Sequence, residues 1–237
     1  MDAAAYTTLT RQSGLMREMQ AVANNIANIS TTGFRREGVI FAEHITRLED
    51  APSLSMAHAS ARQIDLSQAG LSQTGGAFDF AIQGDGFFLV ETPQGQGLTR
   101  AGSFTPSADG ELVNPDGHRL LDQGGAPIFV PPDAGVVALA QDGTLSAGGQ
   151  PLGRIGLWQP IDPNDLRHQG GTLFSSGSGV EPTEGAVILQ GHVEDSNVNP
   201  VSEIARMIAV QRAYEMGQSF LQSEDERVRG VIQTLGQ

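Results

Sequence analysis

The N-terminal part of the chain has the hydrophobic spacing of an amphipathic helix. Five apolar residues recur at alternating intervals of four and three residues: Leu15, Met19, Val22, Ile26 and Ile29. This spacing places them along one side of a helix. Three flanking apolar residues widen the stripe: Leu9, Met16 and Ala23. Gly33 follows Ser30 and two threonines and can supply the left-handed residue that commonly closes a helix. We predict an N-terminal helical segment over residues 1–33.

The C-terminal part carries a matching pattern. Asn199 and Pro200 suit the N-cap and the first position of a helix. A three-and-four alternation then continues to the end of the chain: Met207, Val210, Tyr214, Gly217, Leu221, Glu224, Val228, Val231 and Leu235. Gly217 and Glu224 are its weak positions. We predict that a segment over residues 193–237 pairs with the N-terminal helix in a coiled-coil-like arrangement; two core helices of a compact domain are the alternative.

The central region has the pattern of short β-strands separated by tight turns. Its four Asp-Gly dipeptides are strong hairpin signals: Asp85-Gly86, Asp109-Gly110, Asp116-Gly117 and Asp142-Gly143. We predict a β-rich domain over residues 76–192, antiparallel and sandwich-like or barrel-like. Residues 34–75 are predicted as an extended connector, and its part MAHASARQIDLSQAGLSQTGG, which runs to Gly76, is small and polar. The fold class is α+β, with a mainly β central domain inserted between terminal helices.

Composition limits the kinds of partner. The net charge is −13, and residues 37–198 carry 20 of the 27 acidic residues against six arginines. Such a surface argues against binding nucleic acid. No apolar stretch approaches the roughly 20 residues of a membrane span, so membrane insertion is not expected. The absence of cysteine excludes disulfides and thiolate metal sites, and no cleavable signal peptide is visible.

No catalytic, cofactor or metal site is expected. Gly84-Asp85-Gly86 is followed by a strand rather than by the helix that a phosphate loop needs. Asp109 and Asp116 are explained by their turns without invoking paired catalytic carboxylates, and Trp158 lies in an apolar strand, where core packing explains it. Ser178 lacks the glycine spacing of a nucleophile elbow. The histidines lack metal-ligand spacing and are predicted on the surface: His44, His58, His118, His168 and His192.

Three asparagines stand near the end of the first helix, although asparagine is a mediocre helix former. The stretch ANNIANISTTGF, residues 23–34, resembles the N-terminal signature of the bacterial flagellar rod and hook family. NVNPVSEIARMIAVQRAYEMGQSFLQSEDERV, residues 197–228, is similar to the closing helix of that family, and FAIQGDGFFLV, residues 80–90, resembles the entry to its β domain. The resemblance therefore covers both ends and the middle of the chain.

The resemblance implies a non-enzymatic structural subunit of the flagellar basal-body rod. Family members leave the cytoplasm through the flagellar type III export apparatus and assemble helically into a periplasmic rod that transmits torque. The implied partners are other rod proteins, copies of the same chain and the export apparatus. A short chain with one modest β domain is most similar to the proximal rod members. The alternatives within the family are a distal rod protein or a hook-type axial protein.

The terminal stripes and the asparagines are the predicted assembly interface: Leu15, Met19, Val22, Asn24, Asn25, Ile26, Asn28, Ile29, Met207, Val210, Tyr214, Leu221 and Val228. A buried asparagine can form its hydrogen bonds to a neighbouring helix in one register only, which gives specificity. In the alternative, Asn25 and Asn28 merely ease the helix toward its end at Gly33. Two other functional classes stay open, a secreted carbohydrate-binding β module and a cell-wall glycan-cleaving enzyme.

Overall fold

The computed structural model describes residues 3–48, 51–183 and 185–235, which divide into two compact units. The helical unit contains residues 3–27, 37–48, 51–63 and 199–235. The β unit contains residues 28–36, 64–183 and 185–198. Residues 1–2 and 236–237 of the two predicted helical segments, and Glu184 of the predicted β domain, lie outside the described residues. The α+β class is confirmed, with a mainly β region between an N-terminal and a C-terminal helix.

The helical unit is built on α1 (Ala3–Ala27) and α2 (Pro200–Leu235). The predicted cap of α2 is present: Asn199 Oδ1 accepts hydrogen bonds from the backbone N–H groups of Val201 at 3.0 Å and Ser202 at 3.1 Å. These bonds satisfy two of the amide groups that a helix start leaves free. Pro200 occupies the first helical position, where its missing N–H costs nothing.

Three polar contacts fix the register of the helix pair. Gln12 Nε2 donates to the Tyr214 carbonyl at 3.0 Å. Arg206 Nε lies 2.8 Å from Glu18 Oε1, and Asn25 Nδ2 donates to Glu203 Oε2 at 3.1 Å. Because the residue number falls along α2 as it rises along α1, the helices run antiparallel. A one-turn slip would separate all three pairs at once, so apolar packing alone does not set the register.

Gly217 lies in this seam, where a side chain would displace the amide group of Gln12. A Cβ added at Gly217 would lie 2.5 Å from Nε2 of Gln12. The position that the pattern marks as weak is thus where α1 approaches α2 closely. The missing methyl group leaves room for the hydrogen bond from Gln12 to Tyr214.

Two long strands, β1 (Glu37–Leu48) and β2 (Ala51–Ile64), pair with each other. They lie within the segment predicted as an extended connector. The small polar residues of β2 from Met56 onward do not indicate this pairing, because the hydrogen bonds between strands are made by the backbone.

The β unit contains many short strands. Its strands in the described ranges are β3 (Leu71–Gln73), β4 (Phe80–Gln83), β5 (Phe87–Thr92), β6 (Gly95–Thr99), β7 (Thr105–Pro106), β8 (Leu112–Val113), β9 (Arg119–Leu120), β10 (Val137–Leu139), β11 (Thr144–Ala147), β12 (Gln150–Arg154), β13 (Leu157–Pro160), β14 (Leu166–Gly170), β15 (Leu173–Ser176), β16 (Val180–Pro182), β17 (Val187–Gln190) and β18 (His192–Glu194). A short 3-10 helix spans Pro163–Asp165.

The strands form one large sheet and several small ones. The large sheet has the order β14, β15, β6, β5, β9, β8, β7, and β13 joins it by pairing with β5 and β16. The strands β10, β11 and β12 form a second sheet, while β4 pairs with β17 and β3 with β18. Each of these pairs in the β unit is antiparallel, as predicted.

Two apolar clusters form the core of the β unit. The larger cluster is assembled from several sheets: Phe80, Ile82, Phe88, Val90, Phe104, Leu112, Leu120, Ile128, Val130, Leu145, Ile155 and Ile188. The smaller cluster uses the opposite face of β5: Phe87, Leu89, Leu98, Leu121, Leu166 and Phe174. Consecutive residues of β5 alternate between the clusters because side chains of a strand alternate between its faces. Trp158 packs against the smaller cluster, as core packing predicted.

Three of the four Asp-Gly dipeptides form turns between neighbouring strands. Gly110, Gly117 and Gly143 have φ of 83°, 83° and 85° and lie between β7 and β8, β8 and β9, and β10 and β11. Asp85-Gly86 is the exception, because β4 pairs with β17 while β5 pairs with other strands. Here two glycines with positive φ, Gly84 at 109° and Gly86 at 115°, let the chain pass from one sheet to another.

The fit at Gly217 predicts opposite outcomes for two glycine substitutions in α2. Gly230→Ala should stabilise the helical unit by up to about 1 kcal/mol through helix propensity, because an added Cβ meets nothing within 4 Å. Gly217→Ala should not show this stabilisation, because the added methyl group would displace Gln12. Thermal unfolding followed by far-UV circular dichroism measures both. An equal gain at both positions would contradict the close approach, and Gln12→Ala should restore the gain at Gly217.

Candidate functional site

Asn25 is a buried connector within the helical unit. Its side chain is wholly inaccessible to solvent. Its Nδ2 donates to the Glu37 carbonyl at 2.8 Å and to Glu203 Oε2 at 3.1 Å, while its Oδ1 accepts from the Glu37 N–H at 2.9 Å. The amide therefore pairs with both backbone groups of one β1 residue, as a neighbouring strand would. Asn25 thus joins α1, β1 and α2 of the same chain.

The other two asparagines lie in different surroundings. Asn28 closes the turn after α1, since its carbonyl accepts from the Thr31 N–H at 3.2 Å and its Oδ1 accepts from the Thr31 hydroxyl at 3.1 Å. This arrangement matches the alternative in which Asn28 helps to end the helix. Asn24 is half-buried. A contact of Asn24 with another subunit stays a prediction.

The next residues of the same motif belong to the β unit. Gly33 has φ of 72° and donates its N–H to the Glu194 carbonyl at 2.7 Å. A Cβ at Gly33 would lie 2.2 Å from the backbone nitrogen of Ala101, so no side chain fits. Phe34 is fully buried, and its ring centroid lies 5.4 Å from that of His168. Residues 31–36 are therefore an integral part of the β unit. His168, predicted on the surface, is half-buried, and its ring also lies 4.7 Å from that of Phe174.

A buried ion triad anchors this segment. Arg35 Nη2 lies 2.9 Å from Glu194 Oε1, and Arg100 Nη1 lies 3.4 Å from Glu194 Oε2. The side chains are 1%, 2% and 0% exposed for Arg35, Arg100 and Glu194. Carbonyl groups satisfy further guanidinium hydrogens: Arg35 donates to Ser67, and Arg100 donates to Gly84 at 2.6 Å and to Ile82 at 3.3 Å. One carboxylate thus holds together residues far apart in sequence.

Burial dominates the titration of both arginines. It lowers the pKa of Arg35, and the charge of Glu194 opposes the shift. Burial also lowers the pKa of Arg100 to about 10; the Glu194 charge opposes this shift and the Arg35 charge adds to it. Both guanidinium groups remain protonated near neutral pH. The triad therefore holds two buried cations against one buried anion, and loss of that anion would be costly.

Asn197 ties the C-terminal motif to the N-terminal one within the β unit. Its Oδ1 accepts from the Arg36 N–H at 2.6 Å, and its Nδ2 donates to the carbonyls of Asp65 and Ser67, each at 3.0 Å. Sequence reasoning used Asn199 as a cap and assigned no role to Asn197. The available signal was the second asparagine of the NVNP stretch, a residue type that often bonds to backbone groups.

The predicted interface residues differ widely in accessibility. Leu15, Val22 and Val210 are 8%, 2% and 5% exposed, so they are covered within the chain. Others are half-buried: Met19, Ile26, Ile29, Met207, Tyr214 and Leu221. Val228 is 40% exposed. Buried members of the set hold the helix pair together, and a contact of the remaining members with another subunit stays a prediction.

A second apolar stripe runs along α2 and is open to solvent. Val201, Ile204 and Ile208 are 76%, 51% and 47% exposed. These positions follow helical spacing and alternate with the buried positions Glu203 and Val210, which places them on the opposite side of the helix. On α1, Leu9 and Met16 are 53% and 41% exposed. Large apolar side chains exposed in series mark a surface that binds another protein.

The part of the chain that the structure describes shows neither a metal-binding cluster nor a membrane-spanning helix. Within residues 3–48, 51–183 and 185–235 there is no group of three or more histidine, aspartate or glutamate residues able to hold a metal ion. The same ranges contain no helix that is both long and apolar enough to cross a membrane. Asp109 and Asp116 lie in the turns that the glycines after them form.

Three protein-family models match the chain. These are Flagella basal body rod protein over residues 6–35, Flagellar hook protein FlgE/F/G D1 domain over residues 81–147, and Flagellar basal body rod FlgEFG protein C-terminal over residues 189–234. The first model covers the asparagines and the residues up to Arg35. The last covers Glu194, Asn197 and α2 as far as Thr234.

Curated relatives match along nearly the whole chain. Flagellar basal-body rod protein FlgF of Caulobacter vibrioides is 37% identical, covering 100% of this chain and 99% of the relative. FlgF of Mesorhizobium japonicum is 38% identical with the same coverage. Flagellar basal-body rod protein FlgG of Bacillus subtilis is 28% identical, covering 96% of this chain and 97% of the relative.

The triad predicts a large effect of Glu194→Gln. The substitution leaves two buried guanidinium groups without a counter-charge and should destabilise the β unit by about 3–5 kcal/mol. Glu91→Gln is the matched control, because Glu91 also pairs with an arginine, Arg119 at 2.7 Å, but both side chains are 41% exposed. The control should lose less than about 1 kcal/mol. Urea unfolding measures both, and equal losses would contradict the role of the triad.

The Asn25 bonds predict a pH-dependent effect of Asn25→Asp. The shape is unchanged, but a carboxylate oxygen replaces the donor that faces Glu203 and the Glu37 carbonyl, so the helical unit should lose about 2–4 kcal/mol at pH 7. Burial and the neighbouring carboxylate should raise the folded-state pKa of the new acid above its unfolded value. The loss should therefore shrink as the pH falls toward about 4.

Asn28→Asp is the control, since it keeps the acceptor used by Thr31 and should cost less than about 1 kcal/mol. Unfolding of both variants at several pH values provides the measurement. A pH-independent loss at Asn25 would contradict the burial of a new charge beside Glu203.

Proposed function

Because this chain belongs to the FlgF group of flagellar basal-body rod proteins and is a structural subunit of the basal body, we propose that it forms part of the proximal rod. Its terminal helices would lie in the tube wall and its β unit outside. The role is non-enzymatic, and the assembled rod transmits torque. The observation that carries the proposal is the pair of apolar stripes on α2, one buried against α1 and one exposed.

The exposed stripe supports assembly through the helices. A monomer gains nothing from keeping Val201, Ile204 and Ile208 in water, since each buried apolar side chain stabilises an interface by about 1–3 kcal/mol. Their position opposite the seam leaves the helix pair intact when another subunit docks there. A contact between two different surfaces repeats from subunit to subunit and produces an open helical filament.

The charge distribution supports an outer position for the β unit. Residues 64–198 hold 16 acidic residues against four arginines. Burying many of these acids at the axis of a tube would leave charges unpaired. Solvation outside the tube avoids this cost, and mutual repulsion keeps the subunits soluble before assembly.

We further propose that the chain reaches a periplasmic rod through the flagellar type III export apparatus, as its resemblance to the rod and hook family implies. The partners are other axial proteins and copies of the same chain. A distal rod position is the second candidate, because relatives named flagellar basal-body rod protein FlgG also match most of the chain. Labelling of the β unit followed by electron microscopy of isolated basal bodies distinguishes a proximal from a distal position.

The exposed stripe gives the test of this function. Ile204→Asp with Ile208→Asp should leave the melting temperature nearly unchanged, because both side chains are about half exposed, yet should abolish rods and motility by placing carboxylates in an apolar interface. Val136→Asp is the control, since Val136 is 87% exposed in the β unit and should stay motile. Normal motility of the double variant would reject assembly through this stripe.

A further inference from the structure

We propose that the C-terminal end of α2 packs on the outward stripe of α1 in a second copy of the chain. The outward stripe consists of Leu9, Met16 and Ala23, and the α2 overhang consists of residues 225–235. The proposal rests on the proposed function and specifies which two surfaces meet. The contact is head-to-tail, because each copy offers one surface of each kind.

The overhang follows from the register of the helix pair. From the contact between Gln12 and Tyr214, nine residues remain to the start of α1 at Ala3, whereas 21 remain to the end of α2 at Leu235. Because the helices are antiparallel, α2 extends about 12 residues beyond α1, or roughly 18 Å at the rise of an α-helix. The exposures agree, since Val228, Val231 and Ile232 are 40%, 47% and 64% exposed.

The kind of partner follows from the continuity of the seam. Tyr214, Leu221 and Val228 stand at seven-residue intervals. Val228 therefore continues the stripe whose earlier members, nearer the N-terminus of α2, pack on α1. Tyr214 and Leu221 are half-buried there, whereas Val228 is exposed. A surface that continues an existing helix seam fits another amphipathic helix with a stripe of the same period.

The same chain carries such a stripe. Leu9, Met16 and Ala23 also stand at seven-residue intervals, are all exposed, and lie beside the buried line of Leu15 and Val22. The stripe spans 14 residues, or roughly 21 Å, so it is long enough to receive the overhang. Ser13 and Gln20 flank it and add no charge that would have to be desolvated.

The contact should be weak between two isolated molecules. Only a few half-exposed side chains meet, and the buried area lies well below the roughly 1,000 Å² expected of a stable interface. Repetition in an assembly and the additional stripe of α2 would supply the rest of the binding energy. The test must therefore trap a transient pair rather than look for a stable dimer.

The absence of cysteine makes a trapping experiment clean. Two full-length variants, Met16→Cys and Val231→Cys, are purified separately, mixed and treated with a short bifunctional thiol reagent. The mixture should yield a covalent heterodimer, while Val187→Cys, an exposed residue of the β unit, mixed with Val231→Cys should not. Adding Val228→Asp to the Val231→Cys chain should reduce the heterodimer by roughly tenfold or more.

Three outcomes would overturn the proposal. The first is that the mixture yields no heterodimer. The second is that Val231→Cys alone cross-links as efficiently as the mixture, which would indicate pairing of two overhangs. The third is that Val228→Asp leaves the yield of heterodimer unchanged. Val228→Asp in cells separates this contact from the function. If Val228→Asp abolishes cross-linking in vitro but cells carrying it keep normal rods and motility, the contact is not used in the assembly and is rejected as well, while the proposed function stands. Normal motility after deletion of the whole protein rejects the proposed function.

Discussion

The β unit depends on one buried carboxylate, that of Glu194. Arg35, Arg100 and the backbone N–H of Ala69 all bind it, with Ala69 at 2.9 Å. These residues come from segments widely separated in sequence, so the triad can form only when all of them are in place. Buried ion pairs add little net stability, but a lost member is expensive. The triad therefore penalises partly assembled forms of the unit more than it stabilises the complete one.

The helical unit uses the same physical device at Asn25. The Glu203 carboxylate is 1% exposed and lies in the first turn of α2, where the helix dipole favours a negative charge. Asn25 gives it a donor and at the same time satisfies both backbone groups of Glu37. The short stretch from Asn25 to Arg35 thus contributes a buried polar connector to each unit, which explains a concentration of polar residues that an apolar packing pattern does not require.

Local chemistry was predictable from the sequence, whereas long-range pairing was not. Asn199 and Pro200 begin α2 as expected, because a cap depends on neighbouring residues only. The antiparallel β region followed from its turns. The triad could not be foreseen, since its members lie in separate segments and arginine and glutamate are usually exposed. The Asp85-Gly86 step was misread as a hairpin because a dipeptide records a bend in the chain but not which strands pair on either side.

Three residues of the predicted seam are covered within the chain itself, which changes the role expected of them. Leu15, Val22 and Val210 are buried by their own chain, so their spacing indicates helix pairing within one subunit. A helix that also joins other subunits needs apolar residues on more than one side, and α2 has them at Val201, Ile204 and Ile208. The two surfaces differ in their physical requirement. The inner one must be satisfied for the subunit to fold, and the outer one must stay unsatisfied until the subunit meets its neighbour.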